Sequence, residues 1–132
     1  MSLTALEQVA KRIQCHGSYL SIDELCLDNL TITEITKEIK YEIEKCESLE
    51  YLTMNGCSLK SLENFPVLSK LIALELIDNS YLGFYLRIKD CDIPFIKPLK
   101  SLRHMALNSN EIERVESLAD LGALSKLEQI EV

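Results

Sequence analysis

Apolar residues recur along the chain in one spaced pattern, Leu-x-x-Leu-x-Leu-x-x-Asn-x-Leu, with Ile, Met, Val, Cys and Tyr as substitutes. It reads as Ile22-x-x-Leu25-x-Leu27-x-x-Leu30-x-Ile32 and again as Leu49-x-x-Leu52-x-Met54-x-x-Cys57-x-Leu59. Two further copies run Leu71-x-x-Leu74-x-Leu76-x-x-Asn79-x-Tyr81 and Leu102-x-x-Met105-x-Leu107-x-x-Asn110-x-Ile112. Leu127, Ile130 and Val132 open a fifth, which the sequence leaves unfinished and which therefore reads as part of a longer natural chain. Within each copy the alternation is that of a strand, so Leu25 and Leu27 are expected to face inward and the residues between and beside them outward.

A strand signature repeated at this spacing predicts a leucine-rich repeat solenoid, whose common task is binding. The expected fold class is α/β: a curved parallel sheet on the concave face, helices and 3₁₀ turns on the convex face, and a helical cap at the N-terminus. Residues 1–132 form one domain, with 1–21 as the cap and repeats starting near 22, 49, 71, 102 and 127. Residues 3–13 place Leu3, Leu6, Val9, Ala10 and Ile13 on one helical stripe, opposite Glu7, Lys11 and Arg12. Residues 33–46 space Ile35, Ile39 and Ile43 by four among charged neighbours, predicting a second helix.

Elsewhere the return path has a period of three. Leu59, Leu62, Phe65, Leu68 and Leu71 follow it, as do Ile112, Val115, Leu118, Leu121, Leu124 and Leu127, and 3₁₀ turns are expected there. The third repeat is 31 residues long against 22 to 27 for its neighbours. Its surplus lies within Tyr81 to Pro98, where Tyr81, Phe84, Tyr85, Ile93 and Phe95 are apolar and Pro94 and Pro98 oppose a regular helix. Two readings stand: a bulge packed on the convex side, or an exposed loop that meets a partner. At the Asn position, Asn79 and Asn110 offer a donor to the turning backbone, Cys57 a weak one and Leu30 none.

The predicted outward row gives the candidate partner-binding residues. They are Glu24, Cys26 and Asp28; Tyr51, Thr53 and Asn55; Glu75 and Ile77; His104 and Asn108; and Gln129 and Glu131. Its carboxylates on successive coils could meet successive Lys or Arg groups of one extended partner, or could serve only to keep a small solenoid soluble. Tyr51, the one aromatic on the row, is the candidate anchor; packing against Ala73 is its alternative role. His104 reads either as a partner contact or as an ordinary solvated histidine.

Composition narrows the partner. The chain has 21 Asp and Glu against 14 Lys and Arg, a formal net charge of -7, which argues against direct nucleic-acid binding and favours a basic protein. The surplus is shared by residues 1–30, 31–70 and 101–132, whereas 71–100 is balanced. Cys15, Cys26, Cys46, Cys57 and Cys91 are odd in number and irregularly spaced, as expected of reduced thiols inside a cell. No apolar run reaches the length of a membrane span, and no metal, cofactor or catalytic constellation is visible, so no enzyme is expected and a monomer is.

The run Glu24-Leu-Cys-Leu-Asp28-Asn29, and above all Leu49 to Asn79 with its Asn64-x-Pro66-x-Leu68-x-Lys70-Leu71 return, resembles the acidic leucine-rich nuclear phosphoprotein family. The resemblance covers nearly the whole chain. It implies a nuclear adaptor, shuttling to the cytoplasm, that binds histones as a chaperone or mask and inhibits a type 2A protein phosphatase. It also implies roles in transcriptional regulation and in the export of RNA-binding proteins. The chain departs from that family in carrying no acidic tail within its 132 residues, in its long third repeat, and in Leu30 and Cys57 at the Asn position. The other reading is a leucine-rich scaffold of a spliceosomal or phosphatase-1 type complex, or a cytoskeletal adaptor.

Overall fold

A computed structural model describes residues 3–77, 89–110, 121, 122 and 124–131, with the backbone alone at Asp90 and Cys91. The chain order is α1 (Ala5–His16), β1 (Glu24–Cys26), α2 (Lys37–Glu44), β2 (Tyr51–Thr53), β3 (Ala73–Glu75), a 3₁₀ helix η1 (Asp90–Ile96), β4 (His104–Ala106) and β5 (Gln129–Glu131). The five strands make one sheet in sequence order, and every neighbouring pair is parallel. Each strand is only three residues long, because a coil must turn at once to stack on the next.

Inward residues Leu25, Leu52, Leu74 and Met105 lie in register and are buried, while Ile130 on β5 is half-buried. A second inward line, Leu27, Met54, Leu76 and Leu107, is buried behind them. The backbone joins the coils beyond the strands: Leu27, Met54, Leu76 and Leu107 N–H groups donate to Thr53, Glu75, Ala106 and Glu131 carbonyls at 2.7–2.9 Å.

The chain then turns through a left-handed residue. Asn29, Gly56 and Ser109 occupy the same coil position with φ of 65°, 66° and 62°. At Gly56 a Cβ would also lie 2.7 Å from Asn29 Oδ1, so a side chain there would have to displace the end of the Asn29 amide as well as adopt a left-handed φ. The inner-turn donors work across coils: Asn110 Nδ2 donates to Leu76 O at 2.6 Å and to Leu107 O at 3.0 Å. Cys57 Sγ takes the equivalent place against Leu27 O at 3.0 Å, and burial pushes its thiol up to about 12. Leu30 is half-buried, and Asn79 lies outside the described residues.

Two expected helices form with shifted bounds. Helix α1 begins at Ala5 because Thr4 accepts from Glu7 N at 3.1 Å while the Glu7 carboxylate accepts from Thr4 N, and it ends at Gly17 with φ 143°. Leu3 therefore lies before the helix and is exposed, while Val9 and Ile13 carry the buried stripe. Helix α2 begins after Thr36, whose hydroxyl accepts from Ile39 N, so Ile35 is buried ahead of the helix and only Ile39 and Ile43 are buried on it.

The period-three return over 59–71 buries Leu59, Leu62, Phe65, Leu68 and Leu71, and two of its turns close with the expected 3₁₀-type bond, Phe65 N to Leu62 O at 3.0 Å and Leu71 N to Leu68 O at 3.2 Å. Extended links between such single turns suffice to point every third side chain inward, so the turns need not fuse into a continuous helix. Leu121 and Leu124 of the second such stretch are also buried; Ile112, Val115 and Leu118 lie outside the described residues.

A longer 3₁₀ helix occurs in the long third repeat, where η1 accommodates Pro94, a residue that opposes a regular α-helix. Ile93 and Ile96 pack into the core, and Phe95 stays exposed. Asp92, a buried carboxylate, ties η1 back: it accepts from Ser61 Oγ and Leu62 N at 3.1 Å and from Lys89 N at 2.9 Å. The second half of the insertion is thus packed on the coils. Tyr81, Phe84 and Tyr85 lie outside the described residues.

The cap closes the first coil in two ways. Its backbone edge is met by α1, from which Arg12 Nη1 donates to Cys26 O at 3.0 Å and His16 Nε2 accepts from Cys26 N at 3.2 Å. An edge strand with spare donors and acceptors invites other strands, and these two side chains occupy one of each. Between the helices, the Tyr19 hydroxyl donates to the Glu42 carboxylate, which also accepts from Lys45 Nζ at 3.1 Å. Lys45 in turn lies 5.2 Å from the centre of the Tyr19 ring.

Candidate partner-binding face

Strand register puts the candidate residues in rows across the sheet. Glu24, Tyr51, Ala73, His104 and Gln129 align in one row, and Cys26, Thr53, Glu75, Ala106 and Glu131 in the next. Asp28, Asn55, Ile77 and Asn108 follow two residues beyond the strands. All twelve predicted residues therefore fall on the same face.

The face is a shallow trough. A depression of about 250 Å³ is lined by Glu24, Tyr51, Thr53, Ala73 and Glu75. It continues into one of about 160 Å³ lined by Ala73, Glu75, His104, Ala106, Gln129 and Glu131. Ala73 and Ala106 lower the floor, and Tyr51 stands 45% exposed at one side. A planar aromatic ring over a carboxylate-lined hollow suits a cationic or amphipathic side chain.

Hydrogen bonds order part of this face before any partner arrives. Asp28 Oδ1 accepts from Asn55 N at 2.8 Å, and Asn55 Oδ1 in turn accepts from Ile77 N at 2.7 Å. Asn55 Nδ2 donates to Glu75 Oε1 at 3.0 Å, holding that carboxylate toward the trough. Gln129 Nε2 donates to Glu131 Oε1 at 3.2 Å, and His104 Nε2 stands 3.7 Å from Glu128 Oε2. Asp28 and Asn55 consequently serve the turn as well as the surface. Thr53 Oγ1 and Asn108 Oδ1 are buried and have no hydrogen-bond partner among the described residues.

Cys26 is half-buried at the first coil, where its backbone N–H and C=O are taken up by His16 and Arg12. Sequence reasoning missed the backbone duties of Asp28 and Asn55, the edge-capping pair Arg12 and His16, and the anchor Asp92. A signal existed for the first: Asp28-Asn29, Asn55-Gly56 and Asn108-Ser109 are turn dipeptides at one coil position. None existed for the others, which depend on contacts between distant segments.

Cys15, Cys26, Cys46 and Cys57 are free thiols, and burial pushes Cys46 up to about 11. Among the described residues no three His, Cys, Asp or Glu side chains are grouped to hold a metal ion. No helix among them is long and apolar enough to cross a membrane.

Register, inner-turn donors and a concave parallel sheet define a leucine-rich repeat domain. Solved structures agree: an internalin from Listeria monocytogenes superposes over 93% of the chain with a TM-score of 0.63 at 21% identity, covering 42% of that protein. The C-terminal domain of tropomodulin from Caenorhabditis elegans superposes over 98% of the chain and 83% of its own with a TM-score of 0.61 at 9% identity. These likenesses concern the fold. No family model matches the sequence.

Relatives in sequence are distant. An acidic leucine-rich nuclear phosphoprotein 32-related protein of Plasmodium falciparum is 32% identical over 81% of the chain. A second protein of that designation, from Oryza sativa subsp. japonica, is 35% identical over 62%. A protein of Tetrahymena thermophila that is named as a histone is 32% identical over 79%. The chain spans 38%, 16% and 25% of those three proteins respectively, so the likeness is to a part of each.

Proposed function

We propose that this domain is a nuclear, non-enzymatic protein-interaction module whose concave face takes up an extended basic segment, with histones as the partner class. One observation carries the reading: Glu24, Glu75 and Glu131 line two depressions that share Ala73 and Glu75, around Tyr51 and two alanines, and Asp28 stands two residues beyond β1. Successive coils lie about 4.8 Å apart, a spacing along which lysines or arginines of one segment meet several carboxylates in turn. The nuclear and histone components rest on the names of the distant relatives and on the family resemblance. Inhibition of a type 2A phosphatase and shuttling to the cytoplasm are its further components, carried by the resemblance.

The test uses E24Q/D28N/E75Q. Amides keep the acceptor oxygen that Asp28 gives Asn55 N and the one that Glu75 gives Asn55 Nδ2, so charge is removed while the turn is kept. Exposed pairs are worth about 0.2–1 kcal/mol each, so affinity for core histones at low salt should fall about tenfold. The fall should shrink at about 0.3 M salt, where screening is stronger, and unchanged affinity at both salts would sink the proposal.

A further inference from the structure

Opposite in sign to the trough is a groove of about 210 Å³ at the N-terminal ends of the strands, lined by Glu50, Lys70, Ile72, Ser101, Arg103 and Lys126. Lys70, Ser101 and Lys126 each stand three residues before a strand, on β3, β4 and β5, so they occupy one coil position on three successive coils. With coils about 4.8 Å apart, the row is about 10 Å long, and Arg103 enters it from the residue just before β4. Lys70, Arg103 and Lys126 are exposed, and none is in an ion pair with another described residue. In a chain of net charge -7, these three cations share one groove with a single carboxylate, Glu50, in its lining.

We propose that this edge is a second docking surface, which takes an acidic, extended segment of a partner protein. Several points choose that occupant. The three cations spread along the solenoid axis match carboxylates placed along a chain better than one compact anion. Ile72 gives the groove an apolar side for the segment's backbone and methylenes, and Ser101, whose hydroxyl donates to Ser69 O at 2.6 Å, leaves its oxygen able to accept from a peptide N–H. A nucleic-acid duplex, by contrast, extends well beyond a row of about 10 Å and within a Debye length would meet the acidic remainder of the molecule. The surface is separate from the concave trough, so the two proposals stand or fall independently.

The experiment is a titration of a fluorescein-labelled ten-residue peptide of alternating Glu and Asp, beside a Gln/Asn peptide of equal length and a 20-base-pair duplex. K70Q/R103Q/K126Q should weaken binding of the acidic peptide at least tenfold and leave histone binding by the trough unchanged. E50Q, which removes the carboxylate in the groove, should strengthen it about threefold. All three cations are exposed, so the variant should melt with the wild type. The proposal is overturned if the triple variant binds the acidic peptide like wild type. It is equally overturned if wild type shows no preference for it over the neutral one, or if the duplex displaces it through these same three residues.

Discussion

Asn110 and Cys57 show how one side chain secures a coil. Both donate to an inward-pointing carbonyl of the coil before, Leu76 O and Leu27 O respectively, but an amide is a stronger donor than a thiol. Asn110→Ala should therefore cost about 1 kcal/mol or more in urea unfolding, since it removes the amide's bonds to Leu76 O and Leu107 O. Cys57→Ala removes the weaker donor and should cost less through that bond, although its buried sulfur also contributes packing. Equal losses from the bond alone, measured against Cys57→Ser, would contradict this ranking. At Gly56 the left-handed φ is the first constraint, and the first coil's Asn29 amide, whose end can swing aside, adds a close approach.

Between elements, the cap is held to the first helical return by Tyr19, Glu42 and Lys45. Burial pushes the Glu42 carboxyl up, yet the hydrogen bonds from Tyr19 and Lys45 prevail and hold it below the usual carboxylate range. Acceptance by that carboxylate pushes the Tyr19 hydroxyl up to about 12. A carboxylate with a lowered folded pKa stabilises above its unfolded value of about 4.3 and loses that contribution as pH falls through the folded one. A raised phenol keeps its contribution below about 10 and loses it toward 12. Glu42→Gln should therefore cost about 1 kcal/mol at pH 7, a figure reduced for the exposure of Lys45, and progressively less as pH falls below about 4.3. Urea unfolding at pH 7 and at a series of lower pH values checks it, and a constant difference would refute the linkage.

At the scale of the molecule, charge is sorted by face. Carboxylates line the concave trough while Lys70, Arg103 and Lys126 hold the lateral edge, so a net charge of -7 conceals two surfaces of opposite preference. Excess negative charge also repels itself across so thin a solenoid. Raising salt from about 20 to about 200 mM at pH 7 shortens the screening length to about 7–8 Å and should raise Tm by about 2 °C. A fall in Tm over that range would show that attractive pairs outweigh the repulsion.

The spacing of leucines sufficed to determine the solenoid, the strand positions and the outward rows, because strand alternation and coil stacking allow that pattern one burial solution. It also put the twelve candidate residues on one face, since a parallel register carries each coil position onto the next. Helix limits needed the caps Thr4 and Thr36, whose bonds reach only three residues but compete with the apolar stripe that the periodicity follows. The three-residue period showed which side chains face the core and that single 3₁₀-type turns would bring them there, but not how far such turns would run on into a helix, as they do in η1. Asp92, Arg12 and His16 act on partners 10 to 31 residues away, and no local pattern announces such pairings. The basic edge was written in the sequence as Ser69-Lys70-Leu71 and Ser125-Lys126-Leu127, but only stacking brought those lysines to either side of Arg103. Periodic burial is local and legible in the sequence; the company that polar side chains keep is decided when distant coils come into contact.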